Sequence, residues 1–200
     1  MSITREKLKQ RVRECFVRAL KRFNQSCDCE SLLSEHSSNE PTISHRLAYY
    51  IEAELRKVHV VVDSGPYSVD CEYSRHGQNE KQMYAQQEEV PVVEAARGLL
   101  PGYDSEGGSP FTVRPDILVH KRRDKFANNL LVVEVKKRKS TAGDRFDLLK
   151  LIKFTSTDGY QYDYGVQVTG GSSSPQEERK QLNVTAVLAN GEHISLDPWV

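Results

Sequence analysis

Apolar residues recur at three- and four-residue spacing near the start of the chain, with lysines and arginines between them. This spacing predicts an amphipathic helix, because it places the apolar side chains on one face. Ser2 or Thr4 is a candidate N-cap, and the polar residues 24–26 mark the end of the helix. Its predicted core positions are Leu8, Val12, Cys15, Phe16, Ala19, Leu20 and Phe23.

A second helix is predicted after a polar segment over residues 25–41, in which residues 32–33 indicate only a short turn. It begins near Thr42 or Ser44 and ends at about Arg56. An i,i+4 stripe of apolar residues predicts that one face is buried. The stripe consists of Ile43, Leu47, Ala48, Ile51 and Leu55.

The apolar period then shortens to two residues, which is typical of strands. Strands are predicted over residues 58–62 and 67–73, with a turn between them. Residues 74–110 are rich in Gln, Glu, Gly and Pro, and we interpret them as a long excursion with a short helix near residues 92–99. A connection of this length in a compact domain is either functional or mobile.

The second half of the chain combines further strands with one helix. Residues 130–136 are apolar on both faces, which is typical of a strand at the centre of a covered sheet. Residues 170–175 have the composition of a loop, and Asn190-Gly191 is a strong hairpin signal. The predicted elements are strands over residues 112–120, 130–136, 162–169, 182–188 and 193–196, and a helix over residues 144–154.

This order of elements predicts an α/β fold, with helices packed on the faces of a mixed central sheet. A chain of 200 residues is long enough to bury its own core. We interpret it as a single domain, in which residues 1–41 form an N-terminal helix and loop, residues 42–169 the core, and residues 170–200 a C-terminal hairpin.

The composition argues against disordered and membrane proteins. Apolar residues make up 38% of the chain and charged residues 28%, which is typical of a globular protein. No stretch reaches the roughly 18 to 20 apolar residues of a membrane-spanning helix, and the N-terminus lacks the apolar segment of a signal peptide. We therefore expect a cytoplasmic protein without a membrane partner.

The four cysteines predict neither a disulfide framework nor a zinc site. Cys27 and Cys29 are close in sequence, but a structural zinc site needs four organised ligands, usually in two pairs. Cys15 and Cys71 are isolated in the sequence, so we interpret all four cysteines as reduced thiols.

The formal net charge is zero, but positive charge is concentrated between residues 121 and 139. Such a cluster is compatible with contacts to nucleic-acid phosphates. The alternative interpretation is a solvated turn and strand end. The candidate phosphate-binding residues are Lys121, Arg122, Arg123, Lys137, Arg138 and Lys139.

Charged residues interrupt the two most apolar strands. Glu134 and Lys136 are two residues apart, so they share one face of their strand. A buried charge is costly unless it is paired or binds a metal. Asp116 interrupts the preceding strand in the same way, and pairing of the two strands would bring it alongside Glu134. Two carboxylates and an ammonium group are suited to hydrolysis of a phosphodiester with Mg²⁺.

Pro115-Asp116, followed after seventeen residues by Glu134-Val135-Lys136, resembles the PD-(D/E)xK signature of restriction-endonuclease-like nucleases. The resemblance implies that Asp116 and Glu134 bind Mg²⁺ or Mn²⁺. It also implies that the Val135 carbonyl adds a third ligand and that Lys136 is the catalytic lysine.

The resemblance covers residues 42–169 and implies a restriction-endonuclease-like fold for them. The chain is also similar to a group of uncharacterised bacterial proteins of this class. The similar stretches are residues 39–40, 43–48 and 69–73, which accompany the signature.

Nucleases of this class often use a further carboxylate from the helix before the sheet, and the sequence leaves that residue open. Glu52 and Glu54 on the second helix are interpreted as solvated carboxylates. The accessory candidates are Glu40 before the helix, His45 near its start, and Asp70 on the strand over residues 67–73. For Glu40 a solvated carboxylate is the favoured interpretation, and for His45 a capping residue or one that supports a ligand.

Aromatic residues near the C-terminus have two interpretations. Tyr160, Tyr162 and Tyr164 could stack on bases, but packing on one strand face against the core or a partner is favoured. Trp199 either pins the last strand or is exposed.

These patterns predict a metal-dependent nuclease, acting on DNA rather than RNA, in a defence or repair system. The alternative is a non-catalytic nuclease-like module that binds nucleic acid or a protein partner. The neutral net charge favours weak intrinsic affinity for nucleic acid, and therefore action with a partner subunit or as a homodimer.

Overall fold

The computed structural model describes residues 4–34, 39–58, 61–62, 65–71, 75–76, 79–80, 82–83, 91–92, 111–121, 129–138, 141–172, 180–197 and 199–200. Most of the predicted excursion lies outside the described residues. The same is true of three of the predicted phosphate-binding residues, Arg122, Arg123 and Lys139.

The described helices are α1 (Arg5–Gln25), α2 (Cys27–Leu33), α3 (Glu40–Lys57) and α4 (Thr141–Thr155). Helices α1, α3 and α4 begin and end close to where the apolar periodicity predicts. The interpretation of residues 25–41 as a polar segment with only a short turn is wrong, because α2 lies there and buries Cys29 and Leu33. Thr4 caps α1 as predicted, since its side chain accepts from the Lys7 N–H. Helix α3 begins at Glu40, earlier than predicted, because Asn39 caps it and Pro41 suits its first turn.

The strands fall into one main sheet and several short ladders. They are β1 (Val61–Val62), β2 (Gly65–Pro66), β3 (Ser68–Cys71), β4 (Arg75–His76), β5 (Asn79–Glu80), β6 (Gln82–Met83), β7 (Phe111–Thr112), β8 (Ile117–His120), β9 (Asn129–Lys136), β10 (Tyr164–Ser172), β11 (Lys180–Ala189) and β12 (Glu192–His193). Strand β1 pairs with β2, β4 with β5, and β6 with β7.

The main sheet has six strands in the order β12-β11-β10-β9-β8-β3. Strands β9 and β10 are parallel, and helix α4 connects them. The remaining neighbours in this sheet are antiparallel. The prediction of a mixed α/β architecture is therefore confirmed, with β9 near the centre of the sheet.

Helices cover both faces of the sheet, which explains why β9 is apolar on both sides. Helices α1, α2 and α3 pack on one face, where Leu131, Val133 and Val135 of β9 belong to the larger core. Helix α4 packs on the other face, against Val132 of β9 and Leu118 of β8. The face covered by α4 is also the face on which Glu134 lies.

Glu54 of α3 is buried, so its interpretation as a solvated carboxylate is wrong. Its carboxylate pairs with Arg22 at 2.6 Å, Lys57 at 2.6 Å and Arg18 at 3.3 Å. Two of these cations belong to α1, so Glu54 joins α1 to α3. Burial raises the pKa of Glu54, but the hydrogen bonds and charges of these cations outweigh it and hold the pKa below its ordinary value.

The C-terminal hairpin is part of the main sheet rather than an addition to it. Strand β10 continues to Ser172 and pairs with β11 along that length, so the predicted loop over residues 170–175 begins too early. The turn between β11 and β12 is confirmed. Asn190 and Gly191 both have positive φ angles, of 53° and 79°, as a two-residue hairpin turn requires.

The C-terminal aromatic residues pack in the core. Trp199 is buried and contacts Phe16 of α1 and Tyr164 of β10. Tyr162 is buried on the opposite side, against Phe154 of α4. Packing was therefore the correct interpretation of these tyrosines, but their predicted placement on one strand face is wrong.

None of the four cysteines forms a disulfide, which agrees with reduced thiols. Over the described ranges, the helices are too short or too polar to cross a bilayer.

Candidate metal centre

Asp116 lies at a bend directly before β8, rather than within a strand as predicted. Pro115 precedes it and has no N–H to donate, so the ladder with β9 begins only at Ile117. The antiparallel register pairs Ile117 with the residue before Glu134, which sets Asp116 opposite Glu134. Asp116 Oδ2 accepts a 2.7 Å hydrogen bond from the Val135 N–H, which fixes its carboxyl group there.

Glu134 and Lys136 lie on the face of β9 that α4 covers, as their two-residue spacing predicts. Glu134 is buried, with 1% of its surface exposed, and Lys136 is partly buried. The structure thus brings together the three side chains of the predicted site at one end of the central strands.

Two residues that sequence reasoning missed complete this group, Asp147 and Lys150 of α4. Lys150 Nζ lies 2.6 Å from Glu134 Oε2 and 2.9 Å from Asp147 Oδ1. Asp147 Oδ2 lies 2.9 Å from Lys136 Nζ, so one carboxylate joins both ammonium groups. The sequence did contain a pattern that could have indicated them. An aspartate and a lysine at i,i+3 interrupt the apolar run of residues 146–152, and this spacing puts both side chains on one helix face.

Glu40, at the start of α3, is the accessory candidate that the structure brings to the site. Its Oε2 lies 3.4 Å from Lys136 Nζ, and its Oε1 accepts a 3.1 Å hydrogen bond from the Lys137 N–H. Its side chain is 37% exposed, so it lies at the solvent side of the group. Helix α3 and strand β9 are therefore connected at the point where β9 ends.

His45 and Asp70 are not brought to the site. His45 is exposed on α3. Asp70 is buried in β3 and its Oδ2 lies 2.8 Å from His120 Nε2, so that this carboxylate has a partner of its own. No contact joins either residue to Asp116, Glu134 or Lys136 in the described part of the chain.

The group carries more negative than positive charge. Its carboxyl groups are Glu40, Asp116, Glu134 and Asp147, and its ammonium groups are those of Lys136 and Lys150. Among the described residues of the group, four acids against two bases leave a formal charge of −2. A buried imbalance of this kind is removed either by protonating carboxyl groups or by binding a cation.

The pKa values follow from burial and from these neighbours. Burial raises the pKa of Asp116 to about 6, because Lys150 and the Val135 N–H offset only part of the cost of removing the carboxylate from water. Burial, together with the charges of Asp116 and Asp147, also raises the pKa of Glu134. Burial lowers the pKa of Lys136, but Asp147 outweighs it and raises that pKa above its ordinary value.

Lys150 remains an ammonium group for the same reason. Burial alone would lower its pKa, but the adjacent carboxylates of Glu134, Asp147 and Asp116 outweigh burial and raise it.

Glu134 has one oxygen without a hydrogen bond. Its Oε1 is buried and has no hydrogen-bond partner among the described residues, whereas Oε2 is held by Lys150. An unsatisfied buried carboxylate oxygen is costly. Glu134 therefore presents a bare donor atom of the kind that a hard cation binds.

No three His, Cys, Asp or Glu side chains within the described ranges are grouped to hold a metal ion. A magnesium ion bound here would therefore have few protein donors, namely Asp116, Glu134 and a backbone oxygen. The Val135 N–H points to Asp116, and the N–H and C=O of a strand residue point to the same neighbour, so the Val135 carbonyl lies on that side. Mg²⁺ commonly takes one or two carboxylates and completes its shell with water and substrate phosphate.

The predicted basic patch is only partly exposed. Lys121 is buried, with its ammonium group 5.3 Å from the centre of the Tyr67 ring, so its predicted role as an exposed phosphate ligand is wrong. Arg138 is exposed and Lys137 partly so. Arg114 and Arg145 are also exposed and lie within a few residues of the site, although the predicted patch did not include them.

Comparison of the chain with protein-family models, with curated proteins and with solved structures found no match. The resemblance to the PD-(D/E)xK class therefore stays a prediction from the sequence of this chain.

Proposed function

We propose that this protein is a metal-dependent nuclease of the PD-(D/E)xK type that hydrolyses phosphodiester bonds in DNA. The observation that carries the proposal is the meeting of Asp116 with Glu134 at the end of buried strands, beside Lys136. Within the part of the chain that the structure describes, Glu134 Oε1 has no hydrogen-bond partner there.

Asp116, Glu134 and the Val135 carbonyl would hold Mg²⁺ or Mn²⁺. The bound ion would polarise a phosphoryl oxygen and make water more nucleophilic. Lys136 stays protonated, since Asp147 raises its pKa. It therefore stabilises negative charge on the reacting phosphate rather than acting as a base.

The exposed cations around the site support a nucleic-acid substrate. Arg114 and Arg138 lie two residues from Asp116 and Lys136, respectively, and Arg145 lies in the first turns of α4. Backbone phosphates are bound by such cations without regard to sequence. DNA as the substrate, a defence or repair role, and a cytoplasmic location stay predictions from the sequence.

The test is cleavage of supercoiled plasmid, single-stranded DNA and RNA, in Mg²⁺ or Mn²⁺, by the wild-type protein and by D116A. We expect DNA cleavage that needs the metal and that falls by about 100-fold or more in D116A, since the variant loses a metal ligand. D197A, which removes an exposed aspartate, is the matched control and should retain activity. Cleavage that D116A leaves intact would contradict the proposal.

A second candidate is a non-catalytic module that binds nucleic acid or a protein partner. It is favoured by one observation, that lysines already pair with these carboxylates. Glu134 pairs with Lys150, and Asp147 pairs with both Lys136 and Lys150, so the group is partly neutralised without a metal. Isothermal titration with Mn²⁺ separates the two candidates. Binding that disappears in D116A supports the nuclease. Its absence in the wild-type protein, both alone and with DNA present, supports the module.

A further inference from the structure

Lys150 places a positive charge where the proposed site needs its metal. Its Nζ lies 2.6 Å from Glu134 Oε2, and its side chain is only 9% exposed. The charge of Asp116, the second proposed ligand, also acts on this ammonium group. Glu134 therefore already has a cation of the protein in contact with it, and the same cation acts through its charge on Asp116.

A buried ammonium group and a divalent cation on the same carboxylate repel each other. Water screens this repulsion poorly at a site of such low exposure, so it is far larger than at the surface. A metal ion at Glu134 must therefore either bind against the charge of Lys150 or displace it.

Asp147 offers the displaced ammonium group a second acceptor. Its Oδ1 lies 2.9 Å from Lys150 Nζ, one helical turn away on α4. Lys150 can therefore leave Glu134 and still keep an ionic partner. The buried charge of Lys150 does not have to reach solvent when the carboxylate of Glu134 is released.

We propose that Lys150 is an internal counter-ion that competes with the divalent metal for Glu134 and keeps the metal affinity of the free protein low. The inference rests on the proposed metal site. Lys150 stabilises the metal-free group of carboxylates, and metal binding transfers its ammonium group to Asp147. The negative phosphates of a bound nucleic acid then favour loading of the metal, so metal and substrate bind cooperatively.

The experiment compares Mn²⁺ binding to the full chain by isothermal titration in the wild type and three variants. K150M removes the competing charge, and its dissociation constant should fall by about tenfold or more. K150R retains a cation and should bind no more tightly than the wild type. K153M removes a lysine one turn further along α4, outside the group, and should bind like the wild type.

Thermal unfolding gives a second measurement. Metal-free K150M should unfold at a lower temperature than the wild type, because Glu134 has lost its counter-ion, and Mn²⁺ should raise its Tm more than that of the wild type. K150Q keeps a hydrogen-bond donor for Glu134 and is the second variant if K150M does not fold. The tighter binding must disappear when D116A is added to either variant.

Failure of this inference differs from failure of the proposed function. If the wild type binds Mn²⁺ and K150M binds it equally or more weakly, the counter-ion role of Lys150 is wrong, but the proposed metal site is still supported. Absence of Mn²⁺ binding in both the wild type and K150M would overturn both.

Discussion

Asp116 combines a strong hydrogen bond with an unfavourable environment for its charge. The Val135 N–H holds one oxygen at 2.7 Å, yet burial raises the pKa of the carboxyl group to about 6. The folded protein therefore binds this proton more tightly than the unfolded chain does. Between the ordinary pKa of 3.8 and about 6, ionisation of Asp116 lowers the stability of the metal-free protein as the pH rises.

D116N should therefore raise the free energy of unfolding of the metal-free protein at pH 7.5 by about 1 to 2 kcal/mol. This is part of the stability that the raised pKa of Asp116 costs the folded protein at that pH. Asparagine keeps the oxygen that accepts from Val135, and it removes the buried charge. The free energy of unfolding in urea, measured without metal, checks this. The gain should be much smaller at pH 4, where Asp116 is protonated in the folded protein and only partly ionised in the unfolded chain. The exposed D197N is the control, and a D116N protein less stable than the wild type at pH 7.5 would contradict the expectation.

Helices α1 and α3 are joined by a charged contact as well as by their apolar faces. Glu54 is buried between them and pairs with cations from both helices. Truncating one member of a buried ionic group leaves the remaining charges unpaired. The three cations are each about half exposed, so water reduces that cost here.

E54Q should lower the free energy of unfolding by about 1 to 3 kcal/mol at pH 7, less than for a fully buried pair because its cations reach water. The folded pKa of Glu54 is lowered, so its stabilisation is present above the ordinary pKa of 4.5 and is lost as the pH falls through the folded value. Urea unfolding at pH 7 and pH 3 measures both effects. E52Q is the control, because Glu52 lies on the same helix and forms an exposed ion pair with Arg56. It should change the free energy of unfolding by less than about 0.5 kcal/mol. An equal loss in both variants would argue against the bridging role of Glu54.

The last residues of the chain pack against the first helix on one face of the sheet. Trp199 is buried between Phe16 of α1 and Tyr164 of β10, with ring centres 5.7 Å and 4.9 Å from the indole. The N-terminal helix and the last residues are therefore part of one core.

W199A should lower the free energy of unfolding by about 3 to 5 kcal/mol, since it removes a large buried aromatic side chain. The fluorescence of this tryptophan, the only one in the chain, is lost with it, so circular dichroism during urea unfolding is the measurement. V200A, at a residue that is 77% exposed, is the control and should be nearly neutral. A W199A protein of wild-type stability would show that the C-terminal residues do not contribute to the core.

Much of the fold and part of the site follow from local patterns. The apolar periods predict α1, α3, α4 and the central strands, because burial of one face selects those spacings. The meeting of Asp116 with Glu134 also follows, since neighbouring strands tend to pair. The sequence misplaced Asp116 within a strand, although Pro115 interrupts the ladder there.

The sequence by itself therefore determined α1, α3, α4, the central strands and the mixed α/β architecture. It also predicted that Asp116, directly before β8, meets Glu134 and Lys136 at the end of β9. It did not predict α2. Only the tertiary structure decided which charges meet them. Asp147 and Lys150 reach the site because α4 crosses the face of the sheet that carries Glu134. Lys121 was predicted to bind phosphate, but its side chain is buried. Such contacts join residues distant in sequence, and they depend on how whole elements pack rather than on the period of any one of them.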